Sequence, residues 1–277
     1  MNLKKLPIGM FDSGVGGLTV VKAVHEKLPA ESIIYFGDTA HVPYGNKSKQ
    51  RIEQLSTIIT SFLVKQKVKL IVVACNTASS YALETLQKNF NVPIIGVIEP
   101  GVNAAIAAKP EKIGIIGTPG TISSKSYENA IRKRNKTVKI FSLACPLFVP
   151  LIEEGWFKSN RPIVTQIAHK YLKPFQEKDI DTLILGCTHY PLLTPIIKDV
   201  VYSKVNIIDS AKSTANDVKR VLVTYAMMND SGNTPVYKFY VSDSVEKFVS
   251  LAGKFIDRKS GILPEPFNTT RIEMDEI

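Results

Sequence analysis

Short apolar runs rich in β-branched residues recur along the chain, separated by longer stretches whose apolar residues return every three or four positions. The first pattern marks strands buried on both faces and the second marks amphipathic helices, so their alternation predicts an α/β protein with parallel sheets. Strands are expected at Ile8 to Phe11, Ile33 to Phe36, Leu70 to Ala74, Ile94 to Ile98, Ile113 to Ile116, Val138 to Leu143, Thr182 to Leu185 and Val205 to Ile208. A helix is expected behind a Ser48 cap, with Ile52, Leu55, Ile58, Ile59, Phe62 and Leu63 on its inner face. A second is expected over 245–256, with Val245, Phe248, Val249, Ala252, Phe255 and Ile256 along one side.

The two halves repeat weakly. IGMFDSG from Ile8 is matched by IGIIGTP from Ile113, LIVVACNT from Leu70 by TLILGCTH from Thr182, and PIIG from Pro93 by NIID from Asn206, all in the same order. Two similar doubly wound domains related by pseudo-twofold symmetry follow, with a site in the cleft between them. The expected division is residues 1–98 with 210–277, and 99–209. The stretch after Ser210 has no counterpart in the repeat and is expected to return to the first domain.

At 277 residues the chain suits two hydrophobic cores. Three cysteines without CxxC spacing argue against a disulfide framework or a zinc knuckle, and no metal site is expected. Residues 1–17 lack the apolar core of an export signal and no run is long enough to span a membrane, so residence in the cytoplasm is expected. The net charge of +10 invites a nucleic-acid partner. Its densest run, Arg132, Lys133, Arg134 and Lys136, instead reads as a helix end whose cations complement the dipole, and nucleic acid is not expected as the primary partner.

In a parallel sheet, ligands bind beyond the carboxyl ends of the strands. Cys75 and Cys187 both fall there, at equivalent places in the repeat, followed by Asn76-Thr77 and by Thr188-His189. A cysteine before a helix start can have its pKa lowered toward a usable thiolate. Cys145, with no polar neighbour and no equivalent in the first half, reads as a core residue or as one that supports the site residues from behind. Asp12-Ser-Gly-Val-Gly-Gly17 lacks both the Lys-Ser/Thr ending of a phosphate loop and dinucleotide spacing, and suits a small carboxylate held by backbone and Ser13. Asp12 itself is placed either to relay a proton or to cap a helix. His189, two residues from Cys187, is placed either to share a proton with that sulfur or to serve as a hydrogen-bonded structural residue, and its polar neighbours favour the first.

Seven segments at these residues resemble glutamate racemases, within the aspartate/glutamate racemase superfamily. They are FDSGVGGLTV (11–20), YFGDTAHVPYGNKS (35–48), VACNTASS (73–80), GVIEPG (96–101), GTPGTISSKSY (117–127), ACPLFVPLIEEG (144–155) and LGCTHYPLL (185–193). The resemblance implies racemisation of glutamate without a cofactor, with Cys75 acting on the D-enantiomer and Cys187 on the L-enantiomer. It implies Asp12 as the assistant of Cys75, and His189 with Glu154 as those of Cys187. Substrate contacts implied are Asp12, Ser13, Tyr44, Gly45, Asn76, Thr77, Thr121, Thr188 and His189. It also implies supply of D-glutamate for peptidoglycan, and allows a homodimer. The alternatives are an aspartate or other amino-acid racemase of the same superfamily, or an amino-acid-binding protein without catalysis.

Overall fold

The structure is a computed structural model that describes residues 3–201, 204–257, 260–263 and 269–274. Its strands are β1 (Ile8–Asp12), β2 (Ile33–Gly37), β3 (Leu70–Val73), β4 (Ile94–Gly96), β5 (Lys112–Gly117), β6 (Lys139–Ala144), β7 (Thr182–Gly186), β8 (Asn206–Asp209), β9 (Tyr237–Val241) and β10 (Thr269–Arg271). They form two sheets, a six-stranded one in the order β10-β9-β2-β1-β3-β4 and a four-stranded one in the order β6-β5-β7-β8. Every pairing is parallel.

The internal repeat reappears as topology. The order β2-β1-β3-β4 in the first sheet is reproduced by β6-β5-β7-β8 in the second, so β3 and β7 occupy the same place. In both sheets the winding reverses beside the first strand of the unit, between β1 and β3 and between β5 and β7. Loops diverge there and leave a crevice at the carboxyl ends, where a doubly wound sheet receives its ligand.

Alternation along each strand sends side chains to opposite faces. Phe11, Phe36, Ile71 and Val73 pack with Ile52, Leu55, Ile59 and Leu63 of the helix Lys49–Lys65. Ser48 caps that helix by accepting from the Arg51 amide at 3.3 Å. Met10, Tyr35 and Val72 face the other way, into a core shared with Leu18, Val21 and Val24 of the helix Leu18–Lys27. That core continues through Leu183 and Leu185 of β7, so the two sheets share one hydrophobic interior.

After β4 the chain builds the whole second sheet and then returns, placing β9 and β10 on the first. The helix Val245–Phe255 buries Phe248, Leu251, Ala252 and Phe255. The basic run closes the helix Ser126–Arg134, where Arg134 pairs with Glu99 and donates to Asn103 at 2.9 Å. Among the described residues, no helix is long and apolar enough to cross a membrane.

Candidate active site

β1 ends on Asp12, only 1% exposed, and the glycine-rich turn after it brings the second half of the chain close. A Cβ on Gly16 would lie 2.3 Å from Thr188 Oγ1 and 2.4 Å from His189 Nδ1, so only glycine admits that approach. Asp12 Oδ2 accepts from the Gly14 amide at 3.1 Å, while Thr188 reaches Oδ1 at 3.5 Å. Burial raises the Asp12 pKa, opposed by the His189 charge and by the amides of Gly17, Gly14 and Ser13.

Cys75 follows β3 and caps the helix Asn76–Tyr81, its sulfur accepting from the Ala78 amide at 3.5 Å and lying 3.8 Å from Ser13 Oγ. The sequence position suggested a lowered pKa, and the structure reverses that. Burial and the Asp12 carboxylate push the thiol up to about 12, and the Ala78 amide and Ser13 hydroxyl offset only part of this.

Cys187 stands in the equivalent place after β7, 5% exposed. Its sulfur lies 3.9 Å from His189 Nδ1, and His189 Nε2 lies 3.1 Å from Glu153 Oε1. Burial alone would lower the imidazole pKa, but its bonds to Cys187 and Glu153 override burial and raise it to about 10. Protonated, the ring can donate from both nitrogens, to the Cys187 sulfur and to the Glu153 carboxylate. Glu153, correspondingly, is held below the usual carboxylate range, burial being outweighed by the His189 bond and charge and by Lys247 and Lys254.

The implied role of Glu154 is corrected by this geometry. Glu154 is exposed at the end of the six-residue helix Phe148–Glu153, and the preceding residue turns inward to His189. Successive residues on a helix point about 100° apart, so of two adjacent glutamates only one can face the cleft.

The threonines join the halves. Thr77 Oγ1 lies 2.9 Å from Thr118 Oγ1 and 3.1 Å from Thr121 Oγ1, and those two are 3.0 Å apart. Thr118 was not singled out in the sequence, although its place as cap of the helix Pro119–Ser123 is a readable signal. Gly45 packs against Thr118, where an added Cβ would come within 2.7 Å. Tyr44 is buried, but its hydroxyl is engaged, donating to Asp38 Oδ2 at 2.6 Å. Asn76 accepts from the Tyr127 hydroxyl at 2.7 Å, leaving its buried Nδ2 without a protein partner. A cavity of about 340 Å³ borders this cluster, lined in part by Gly45, Thr118, Val149 and Glu153. Cys145 is fully buried, its thiol pushed up by burial and its carbonyl accepting from Tyr190 at 2.9 Å, as a packing residue should be. Among the described residues, no group of three or more His, Cys, Asp or Glu side chains is arranged to hold a metal ion.

The site thus sets two buried thiols at topologically equivalent strand ends, with Asp12 bearing on one and His189 on the other, beside a cluster of threonine hydroxyls and the unpartnered Asn76 Nδ2. The sequence pattern of the Asp/Glu/Hydantoin racemase family matches residues 8–218. A glutamate racemase from Geobacter metallireducens is 46% identical over 255 residues, covering 92% of this chain and 94% of that protein. The crystal structure of a glutamate racemase isoform from Bacillus anthracis superposes with a TM-score of 0.89 at 39% identity, covering 98% of this chain and 97% of that one. That of the glutamate racemase from Francisella tularensis, in complex with D-glutamate, also gives 0.89, at 37% identity over 99% and 100% of the two chains. This chain belongs to the Asp/Glu/Hydantoin racemase family, within its glutamate racemase group, and is an amino-acid racemase.

Proposed function

We propose that the chain interconverts L- and D-glutamate by passing the α-proton between two opposed thiols, without a cofactor. The observation that carries the reading is the placement of Cys75 and Cys187 after the equivalent strands β3 and β7, close enough that the Cys187 charge bears on Cys75. The D-glutamate bound by the Francisella tularensis relative supports the choice of substrate.

Inversion requires a proton to leave one face of the α-carbon and another to arrive on the opposite face. In the L-to-D direction the Cys187 thiolate takes the proton, and the C–H electron pair remains on the substrate as a carbanion. The Cys75 thiol then delivers its own proton to the other face. The reverse direction exchanges these roles; before and after each turnover the two sulfurs hold one proton between them, and both are protonated while the carbanion exists.

The unequal surroundings of the thiols fit unequal assistance. Cys187 lies 3.9 Å from the His189 ring, whose raised pKa suits it to donate to that sulfur. Cys75 faces Asp12 and, in the empty site, has its thiol pushed up to about 12. The substrate ammonium supplies the missing positive charge there, bringing thiolate formation at Cys75 within reach when glutamate is bound.

Carbanion charge must be met by donors in an enclosed site. Asn76 Nδ2, Ser13 and the Thr77, Thr121 and Thr188 hydroxyls are placed for this, and for the two substrate carboxylates. Gly45 contributes through its backbone, and Tyr44 through its ring, because its hydroxyl is committed to Asp38. In the cell the reaction supplies D-glutamate for peptidoglycan, in a cytoplasm reducing enough to keep both thiols free.

The test is turnover of L-glutamate and L-aspartate side by side by fresh, reduced protein without added cofactor, followed by chiral separation. D-glutamate should accumulate to a racemic mixture. Faster conversion of L-aspartate would transfer the reading to an aspartate racemase, and no conversion of either would leave only a binding role.

A further inference from the structure

We propose that Lys254 is a positioning residue for the Cys187 side of the site: by gripping the end of the helix that carries Glu153, it keeps that carboxylate on His189. The inference rests on the two-thiol reading above.

The helix Phe148–Glu153 has only six residues, so it has little intrinsic stability, and its last carbonyls lack partners within it. Lys254 Nζ donates to the Glu153 carbonyl at 2.6 Å. A cation at that end also complements the helix dipole. Gly155, at φ 79°, turns the chain away immediately afterwards, and a Cβ there would stand 3.1 Å from the ammonium.

The grip crosses the cleft. Lys254 lies on the helix Val245–Phe255, which packs into the first half, whereas Glu153 belongs to the second. Two further side chains of the same helix bear on the pair. Phe255 stands edge-on to the His189 ring with centroids 5.3 Å apart, and the charge of Lys247, two turns before Lys254, reaches the Glu153 carboxylate. The other titratable groups facing this pair are Cys187 and Asp12. Lys254 touches neither sulfur nor, on the proposed reading, the substrate, so it acts through Glu153.

The test compares Lys254→Met, Lys254→Gln and Lys254→Arg with wild type in kcat/KM for racemisation, from about pH 6 to about pH 10. Lys254→Met should lose roughly tenfold, because a small displacement of a catalytic group costs that much or more. Its alkaline limb should also move to lower pH, since His189 parted from Glu153 holds its proton less tightly. Lys254→Arg should restore both rate and limb, and Lys254→Gln, a donor without charge, should fall between.

Loss of a distant positive charge alone would move the limb the other way. An upward shift, an unmoved limb, or a Lys254→Met profile that coincides with wild type would each overturn the inference. Should Lys254→Met fail to fold, the same shift read in Lys254→Gln decides. If wild type itself does not racemise, the functional reading has failed. If wild type is active and the variants match it, only the role of Lys254 has.

Discussion

Thr188 Oγ1 lies 3.5 Å from Asp12 Oδ1, so the residue that follows one thiol touches the carboxylate that bears on the other. The two acid–base sets are therefore one buried network, and the positioning of either half depends on the loops of both.

Removing either sulfur should abolish racemisation, because a serine hydroxyl in its place is far too weak an acid or base for proton transfer at the α-carbon. Cys75→Ser and Cys187→Ser should each lose on the order of a thousandfold or more in kcat. Near-normal rates in either variant, measured by circular dichroism of the glutamate enantiomers, would remove that cysteine from the mechanism.

The adjacent glutamates should separate cleanly. Glu153→Gln removes the carboxylate 3.1 Å from His189 Nε2 and should cost roughly tenfold or more in kcat/KM. Glu154→Gln, at an exposed helix end, should stay within about twofold. The reverse ranking would reinstate Glu154 as the partner of His189.

Which of the two glutamates faces the cleft is a detail sequence could not supply, and the reason is physical. Strands announce themselves by local composition, so β1 to β8 and the repeat that pairs Cys75 with Cys187 were readable to within a residue or two. The phase of the short helix Phe148–Glu153 is set by tertiary contacts, among them the Lys254 ammonium a hundred residues away. β9 and β10 escaped for a related reason, since β9 alternates buried and partly exposed positions and β10 has three residues, without the long apolar run of a central strand. The Cys75 pKa was read in the wrong direction because burial and the Asp12 charge, unlike a helix start, leave no local mark.

The His189–Glu153 contact should make stability depend on pH at both ends of the range. His189 has its folded pKa raised to about 10, so its contribution is complete below the unfolded value near 6.5 and is lost as pH rises through about 10. Glu153 is depressed, so its contribution is present above the unfolded carboxylate value and is lost as pH falls through the lower folded one. Thermal unfolding should therefore show a decline in Tm above about pH 6.5 that is shallower in His189→Asn. Equal slopes in the two proteins would contradict the raised pKa.

Asp12 should behave in the opposite sense. Burial raises its pKa, so the ionised carboxylate disfavours the fold at neutral pH. Asp12→Asn should raise Tm at about pH 7 while lowering kcat by roughly tenfold or more, a trade of activity for stability. A lower Tm would show that the bonds from Gly14 and Thr188 outweigh desolvation.

Gly16→Ala should be costly on both counts. Its Cβ would overlap Thr188 Oγ1 and His189 Nδ1, and relieving that overlap should cost about 1–3 kcal/mol of stability. The variant should also lose most of its activity, because the groups displaced are those that serve Cys187.

Two thiols acting on opposite faces of one carbon leave their mark in the fate of the α-hydrogen, read in deuterated water at early conversion of L-glutamate. D-glutamate should carry one solvent deuterium at the α-carbon, while the remaining L-glutamate stays unlabelled. Deuterium appearing equally in both enantiomers from the outset, as a single base serving both faces would produce, or D-glutamate formed without deuterium, would contradict the two-thiol mechanism.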